Sequence, residues 1–571
     1  MHDPYRFAEH PRRYPLPVAE TGQIAEILRS NIKGIRSMRI SKKFAFLLVI
    51  IAGIAFYLAV FSFNSHTRNG QFSPDSMNYV DVAKNIATGK GIAQSTLGFN
   101  QAYLFDGNSK IPAPFTSQAP LYPLLIAQLG RIGFSFKDAA LLIPAAAYGA
   151  ILLLAFLLSR NLYGKRTALL SLAFLLFYYP LTLISRSAWS ESVAAVFLLL
   201  SFYLLVRSCQ FAGIRAIVTS ALFSGLSAGL VFSTRYALFP LIFIGILFLA
   251  RELRDSRLRL AALFSYITGA LLPIVLVLVH NLFSAGYLMP PILPSNRSWP
   301  ENAVDAIAAT FGNYYGKEGW EIQAEIAVAL IAVSVIVLTV QRRTRELAIV
   351  FVRQRHYLLT LWFLVFSVFM VYQRTVQHFD RLETRLLFPA GIVLILLIAA
   401  LLVKAVDPWV KSSAVFQVIL VLAILVASVQ QVQITKDEPV MNVSAQLAKS
   451  DRFNWVADHT TNSDLIVGDD TIDITFFYGR TASVSFSDYP FTVHLTYENL
   501  KGFTDNNCNS YQHIYIVLRN YHSWPLDRQL YLFGQFITDV RESRLDAYPG
   551  IVLVIHLRDS DVFEVACKAE I

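Results

Sequence analysis

Charge is scarce in this chain. Lys, Arg, Asp and Glu make up 15% of its 571 residues and hydrophobic residues 55%, a balance that excludes an ordinary soluble protein, in which about a quarter of residues are charged. Cysteine is scarcer still: there are three, too few for a disulfide framework. The sequence has no phosphate-binding glycine loop, no paired cysteine ligands and no nucleophile elbow, so no nucleotide or thiol chemistry is legible in it. A cleavable signal peptide is missing too. The first apolar run is too long and starts too late, and it is expected to stay as a signal anchor.

What is abundant is long uncharged sequence, with a mean hydropathy of +0.48. Runs close to the ~20 residues that a bilayer core requires occur at 44–63, 139–158, 167–184, 216–234, 260–283, 386–403 and 412–433. Shorter or flanked runs at 187–206, 236–250, 326–340 and 357–373 raise the expected number of transmembrane helices to about eleven. Charge placement supports that number, because short cytoplasmic loops collect Lys and Arg. The tail ends in Lys33, Arg36, Arg39, Lys42 and Lys43, and alternate connections carry Arg160/Lys165/Arg166, Arg207/Arg215, Arg251/Arg254/Arg257/Arg259, Arg342/Arg343/Arg345/Arg353/Arg355 and Lys404/Lys411. The net charge of +10 is thus mostly a topology signal and not a nucleic-acid footprint, and no nucleic-acid partner is expected.

The expected organisation is a cytoplasmic tail (1–43), a transmembrane domain (44–433) with long outer loops at 64–138 and 284–324, and a soluble α/β domain (434–571) on the outer side. In that last domain 444–459 has helical spacing, 464–468, 483–486, 514–518 and 551–557 read as strands, and 526–536 reads as a helix. Cys508 and Cys567 both lie there, so a disulfide is allowed by compartment without being demanded. Asp469, Asp470 and Asp473 could hold a divalent cation, although a strand end followed by a helix cap explains them equally well.

The most informative residue is Asp75. Ser73 can cap a helix and Pro74 suits its first position; Asp75, Tyr79, Val82 and Ile86 then fall at i, i+4, i+7 and i+11 of what reads as a surface helix. The carboxylate therefore shares the apolar stripe and is aimed at a cavity near the membrane surface, unless it only complements the helix dipole. Other polar groups gather at the outer boundary: Asp81, Glu191, Arg235, His378, Asp380, Arg381, Glu383 and Arg385. Ionisable groups there are costly and tend to be functional or paired. Arg235, Arg381 and Arg385 could clamp a phosphate, against the plainer reading that they snorkel. Glu191 could equally be a first-turn acid.

These residues resemble a family. An uncharged first span, Asp75 with Tyr79 and Ala83 behind it, Ala119-Pro120-Leu121-Tyr122-Pro123 and later Ser190-Glu191-Ser192 look like the polytopic GT-C glycosyltransferases. Among these, the protein O-mannosyltransferases, the lipid A aminoarabinose transferases and the bacterial "family 39" enzymes are the most similar kinds. The resemblance implies a GT-C-like, mostly α fold in a multi-pass protein of a bacterial inner membrane, with the small α/β C-terminal domain outside the cytoplasm. It implies a hexosyl- or pentosyltransferase that takes a sugar from a polyprenyl-phosphate donor to an acceptor on a glycan, lipid or protein. Asp75 would be the general base, and Tyr79, Tyr122, Glu191, Arg235, His378, Arg381 and Arg385 would contact substrate. Ser76 stands where many relatives have Glu, which puts a divalent metal in doubt, and Ala119-Pro120 replaces Pro-Pro or Lys-Pro. The rival reading from the same residues is a transporter or lipid flippase.

Overall fold

In the computed structural model the described residues are 72–96, 110–290, 295, 297–311, 357–377, 382–406, 415–422, 450–468, 471–485, 497–519 and 550–567. The expected spans 44–63 and 326–340, most of 412–433, and the expected helix 526–536 lie outside them.

The first described helix is α1 (Pro74–Ala87), where Ser73 Oγ accepts from the Ser76 N–H at 3.4 Å and Pro74 occupies the first position. A short antiparallel ribbon follows, β1 (Ala93–Gln94) on β2 (Ala113–Pro114), and then α2 (Leu121–Arg131). The membrane part comprises α3 (Phe136–Tyr163), α4 (Lys165–Phe177), α5 (Tyr179–Arg186), α6 (Glu191–Ser208), α7 (Ile214–Thr234), α8 (Pro240–Glu252), α9 (Ser256–Ala285), α10 (Trp299–Phe311), α11 (Tyr357–Val376) and α12 (Thr384–Val406). Six of the described helices, α3, α6, α7, α9, α11 and α12, are long and apolar enough to cross a membrane.

Two expected spans differ from the sequence reading. The run 167–184 is not one straight helix: α4 and α5 meet at 62°. Pro180 has no N–H to give the preceding turn, and Tyr178 opens to an extended conformation (φ −77°, ψ 92°). The run 236–250 becomes a 3₁₀ turn, Tyr236–Leu238, followed by α8, whose 13 residues reach only about 20 Å at ~1.5 Å per residue.

Helix packing uses small residues. A Cβ on Gly225 would collide with the backbone oxygen of Tyr266, and one on Gly269 with that of Leu222, so α7 and α9 touch backbone to backbone. Inside a bilayer, close packing of this kind replaces the absent hydrophobic drive between helices. Ser224 adds a polar link to α6, donating to the Ser201 carbonyl at 2.8 Å.

Charge sorts by end. Glu191 begins α6, and both Arg235, just after α7, and Arg385, at the start of α12, reach it. The opposite ends of these helices carry Arg207, Arg215 and Lys404. Arg251, at the end of α8, stacks on Tyr357 at the start of α11, 3.9 Å from its ring centroid.

The C-terminal part contains α13 (Asp451–His459), β3 (Leu465–Gly468), β4 (Thr481–Ser485), α14 (Tyr497–Asn507), β5 (Ile514–Arg519), β6 (Ile551–His556) and β7 (Ser560–Val565). The strands form one sheet in the order β4-β3-β5-β7-β6, with β3 parallel to both neighbours and β7 antiparallel to both of its own. All four expected strands are present; β7 and α14 were not anticipated. Cys508 and Cys567 form a disulfide.

This sheet domain packs against the segment that carries α1 and the β1–β2 ribbon. The Phe72 and Phe476 rings lie 4.8 Å apart, Thr96 Oγ1 is 3.2 Å from Thr475 Oγ1, and the Ile111 N–H donates to Asn507 Oδ1 at 3.4 Å. As a result α1 is not the surface helix that its periodicity suggested. Its residues from Ser76 to Ile86 are buried except Lys84, because the ribbon and the sheet domain cover the face that would otherwise meet water. Asp81, on that covered face, accepts from the Ser95 N–H at 2.6 Å; burial pushes its carboxyl pKa up, and this hydrogen bond opposes the shift.

Candidate active site

The site forms where three helix N-termini converge. Asp75 is the second residue of α1, Glu191 the first of α6 and Arg385 the second of α12. Each N-terminus carries roughly half a positive charge from its aligned peptides, which favours carboxylates and any other anion at this point.

The four charged side chains form a chain of ion pairs. Arg385 Nη1 donates to Asp75 Oδ2 at 3.1 Å, and its Nε lies 3.5 Å from Glu191 Oε1. The same Glu191 oxygen takes Arg235 Nη1 at 2.5 Å. Two carboxylates and two guanidiniums balance formally, so the helix termini leave the site net positive. The acids differ in access, however: the Asp75 side chain is 34% exposed and that of Glu191 only 2%. Asp75 is therefore the carboxylate that a substrate can reach, whereas Glu191 holds the arginines from within.

Several neighbours were invisible to sequence reasoning. Gln118 Nε2 donates to Asp75 Oδ1 at 2.9 Å. The Arg385 guanidinium lies over the Trp189 ring at 5.0 Å, within cation–π range, and Trp189 Nε1 donates to Ser73 Oγ, the cap of α1, at 2.9 Å. One indole thus ties the arginine to the helix that carries the acid. Gln118 and Trp189 sit in loops without periodicity, so only their nearness to the Ala119-Pro120 stretch and to Ser190-Glu191-Ser192 could have drawn attention to them.

The remaining sequence candidates divide. Tyr79 lies one turn beyond Asp75, with its hydroxyl 3.2 Å from Ser190 Oγ. Burial, followed by the Asp75 charge, raises its pKa, so it stays a neutral phenol. Tyr122 packs edge-on to Tyr79, with centroids 5.1 Å apart, and its hydroxyl donates to the Ala140 carbonyl at 2.6 Å; it forms the wall behind Tyr79. Arg235 and Arg385 both reach Glu191, so each is already paired with an acid. His378, Asp380 and Arg381 lie outside the described residues.

No group of three His, Cys, Asp or Glu able to hold a metal occurs among the described residues; Asp469 and Asp470 lie outside them. Asp75 and Glu191 would have to release guanidiniums before binding a divalent ion, so the pair does not fit a metal site as it stands.

Residues 117–282 match the family model described as Dolichyl-phosphate-mannose-protein mannosyltransferase. No curated protein matches the chain by sequence. Among solved structures, ArnT from Cupriavidus metallidurans bound to undecaprenyl phosphate is 12% identical, with 92% of this chain and 98% of that one covered and a TM-score of 0.55. The apo state of the same protein gives 12% identity, 91% and 98% coverage and a TM-score of 0.56. At this identity the likeness is one of fold. The matched segment and the shared architecture bear out the resemblance to the polytopic GT-C glycosyltransferases. Glu191, Arg235 and Gln118 fall within the matched residues, whereas Asp75 and Arg385 do not.

Proposed function

We propose that this chain transfers a sugar from a polyprenyl-phosphate donor to an acceptor hydroxyl, with Asp75 as general base and Arg385 and Arg235 receiving the donor phosphate. The observation that carries this reading is a reachable carboxylate, Asp75, held beside two guanidiniums where three helix N-termini meet. The family description names a lipid-phosphate sugar, and the ArnT structure was solved with a polyprenyl phosphate; both support the same donor class.

In the reaction, Asp75 takes the proton of the acceptor hydroxyl as its oxygen attacks the anomeric carbon. The bond from that carbon to the phosphate oxygen breaks, and the leaving polyprenyl phosphate gains negative charge. Arg385 and Arg235, which share Glu191, are the cations proposed to meet that charge. A divalent ion, if used, would need ligands besides the paired Asp75 and Glu191.

The test is a labelled-donor assay on purified protein. The expected result is conversion of polyprenyl-phosphate sugar to free polyprenyl phosphate with the sugar on the acceptor. A flippase would move the donor across the bilayer intact, and that outcome would overturn the reading.

The same proposal places the site on the outer face of the membrane. It is supported by the basic residues at the opposite helix ends and by the Cys508–Cys567 disulfide, which suits an oxidising compartment. With a membrane-impermeant thiol reagent on right-side-out vesicles, Cys508 and Cys567 should label only after reduction, and Cys209, at the far end of α6, should not label. Labelling of Cys209 alone would reverse the orientation.

A further inference from the structure

Asp75 is gripped at both oxygens by unlike groups: Arg385 at Oδ2 and Gln118 at Oδ1. An ionised carboxylate can only accept, so the end of the Gln118 amide that faces it has to be the N–H₂ group, and this fixes which way the amide lies. Its other end, Oε1, is enclosed and meets no hydrogen-bond partner among the described residues. An enclosed acceptor without a donor is unfavourable, and in native proteins such groups call for an explanation.

The backbone around Gln118 is fastened as well. Its carbonyl accepts from the Tyr236 hydroxyl at 3.4 Å, and that hydroxyl accepts from Asn281 Nδ2 at 3.4 Å. Two residues earlier, Thr116 Oγ1 lies 2.7 Å from the Tyr287 hydroxyl. Loop, 3₁₀ turn and α9 thus hold Gln118 from outside its side chain, which leaves the amide N–H to serve Asp75.

We propose that Gln118 is a positioning residue, whose N–H fixes the Asp75 carboxylate for proton transfer. This rests on the reading of Asp75 as base. It assigns to the side chain a task that neither packing nor ion pairing requires, the orientation of the base, and that task explains why its enclosed Oε1 is left without a donor. A misplacement of about 1 Å at a reacting group can cost on the order of 10²-fold in rate, so the orienting contact alone should be visible kinetically.

The experiment compares wild type, Gln118→Glu and Gln118→Leu. Release of polyprenyl phosphate from labelled donor is followed in vesicles carrying the cell's own acceptor, diluted to varying density with plain lipid. In Gln118→Glu two carboxylates would meet at hydrogen-bond distance and share a proton, so the acidic limb of the pH–rate profile should move to higher pH, with recovery of rate above it. Gln118→Leu has similar size but neither donor nor acceptor. It should lower the maximal rate by about 10- to 100-fold, with the donor and acceptor dependences unchanged. A Gln118→Leu enzyme with the wild-type maximal rate, or a Gln118→Glu enzyme with the wild-type pH limb, would overturn the proposal. Thermal melting of each variant separates loss of fold from loss of positioning. Asp75→Asn run alongside separates the two levels: if it turns over normally, the base assignment fails; if it is inactive while both Gln118 variants behave as wild type, only the positioning role fails.

Discussion

Asp75→Asn is expected to lower the rate of sugar transfer by roughly 10² to 10⁴, the usual contribution of a positioned general base, while the protein still inserts and binds donor. The amide matches the carboxylate in size but cannot take the acceptor proton. Gln118 keeps a partner, because the asparagine oxygen can still accept from its N–H₂. The asparagine nitrogen would then face Arg385, donor against donor, so the guanidinium falls back on Glu191, 3.5 Å away. Donor binding should survive, since the phosphate gains an arginine with one competitor fewer. The decisive measurement is single-turnover rate against donor concentration: a collapsed plateau with an unchanged or lower half-saturation point is expected. A plateau near the wild-type value would remove Asp75 from the chemistry, whatever the steady-state numbers.

The sequence carried the local half of this site and missed the long-range half. Ser73, Pro74 and the stripe from Asp75 to Ile86 were legible because capping and helical period are written within a dozen residues. Glu191, Arg235 and Arg385 were legible one by one, as charges too costly at a membrane boundary to be idle. Their mutual pairing was not legible, because Asp75 and Arg385 are 310 residues apart and periodicity says nothing about which helix end meets which. The reading of α1 as a surface helix failed for the same reason, since its cover includes Phe476 and Thr475, some four hundred residues downstream. The bend between α4 and α5 was within reach: Pro180 sits in the middle of the apolar run, and a proline there deprives the preceding turn of a hydrogen bond. Hydropathy alone counts such a run as one span.

Arg385→Ala carries the second large effect, and two explanations of it can be separated. If Arg385 stabilises the leaving phosphate, its loss should lower the transfer rate by about 10² to 10³, as removal of one preorganised donor to a developing anion does, and should weaken donor binding as well. Lys should restore only part, because a point charge cannot span Asp75 and Glu191 as the planar fork does, nor lie flat over Trp189. If Arg385 is instead only a structural counter-ion, its removal leaves Asp75 and Glu191 sharing one arginine, and the cost falls on stability, read as a lower melting temperature. The double variant Arg385→Ala/Glu191→Gln distinguishes the two, because it restores the formal charge balance with one acid and one arginine. A structural role predicts that melting temperature and turnover return together. The phosphate-binding role predicts that the melting temperature recovers while turnover stays low, because the group that would meet the departing phosphate is still missing. Recovery of both would assign Arg385 to the scaffold and leave Arg235 as the cation for the leaving phosphate.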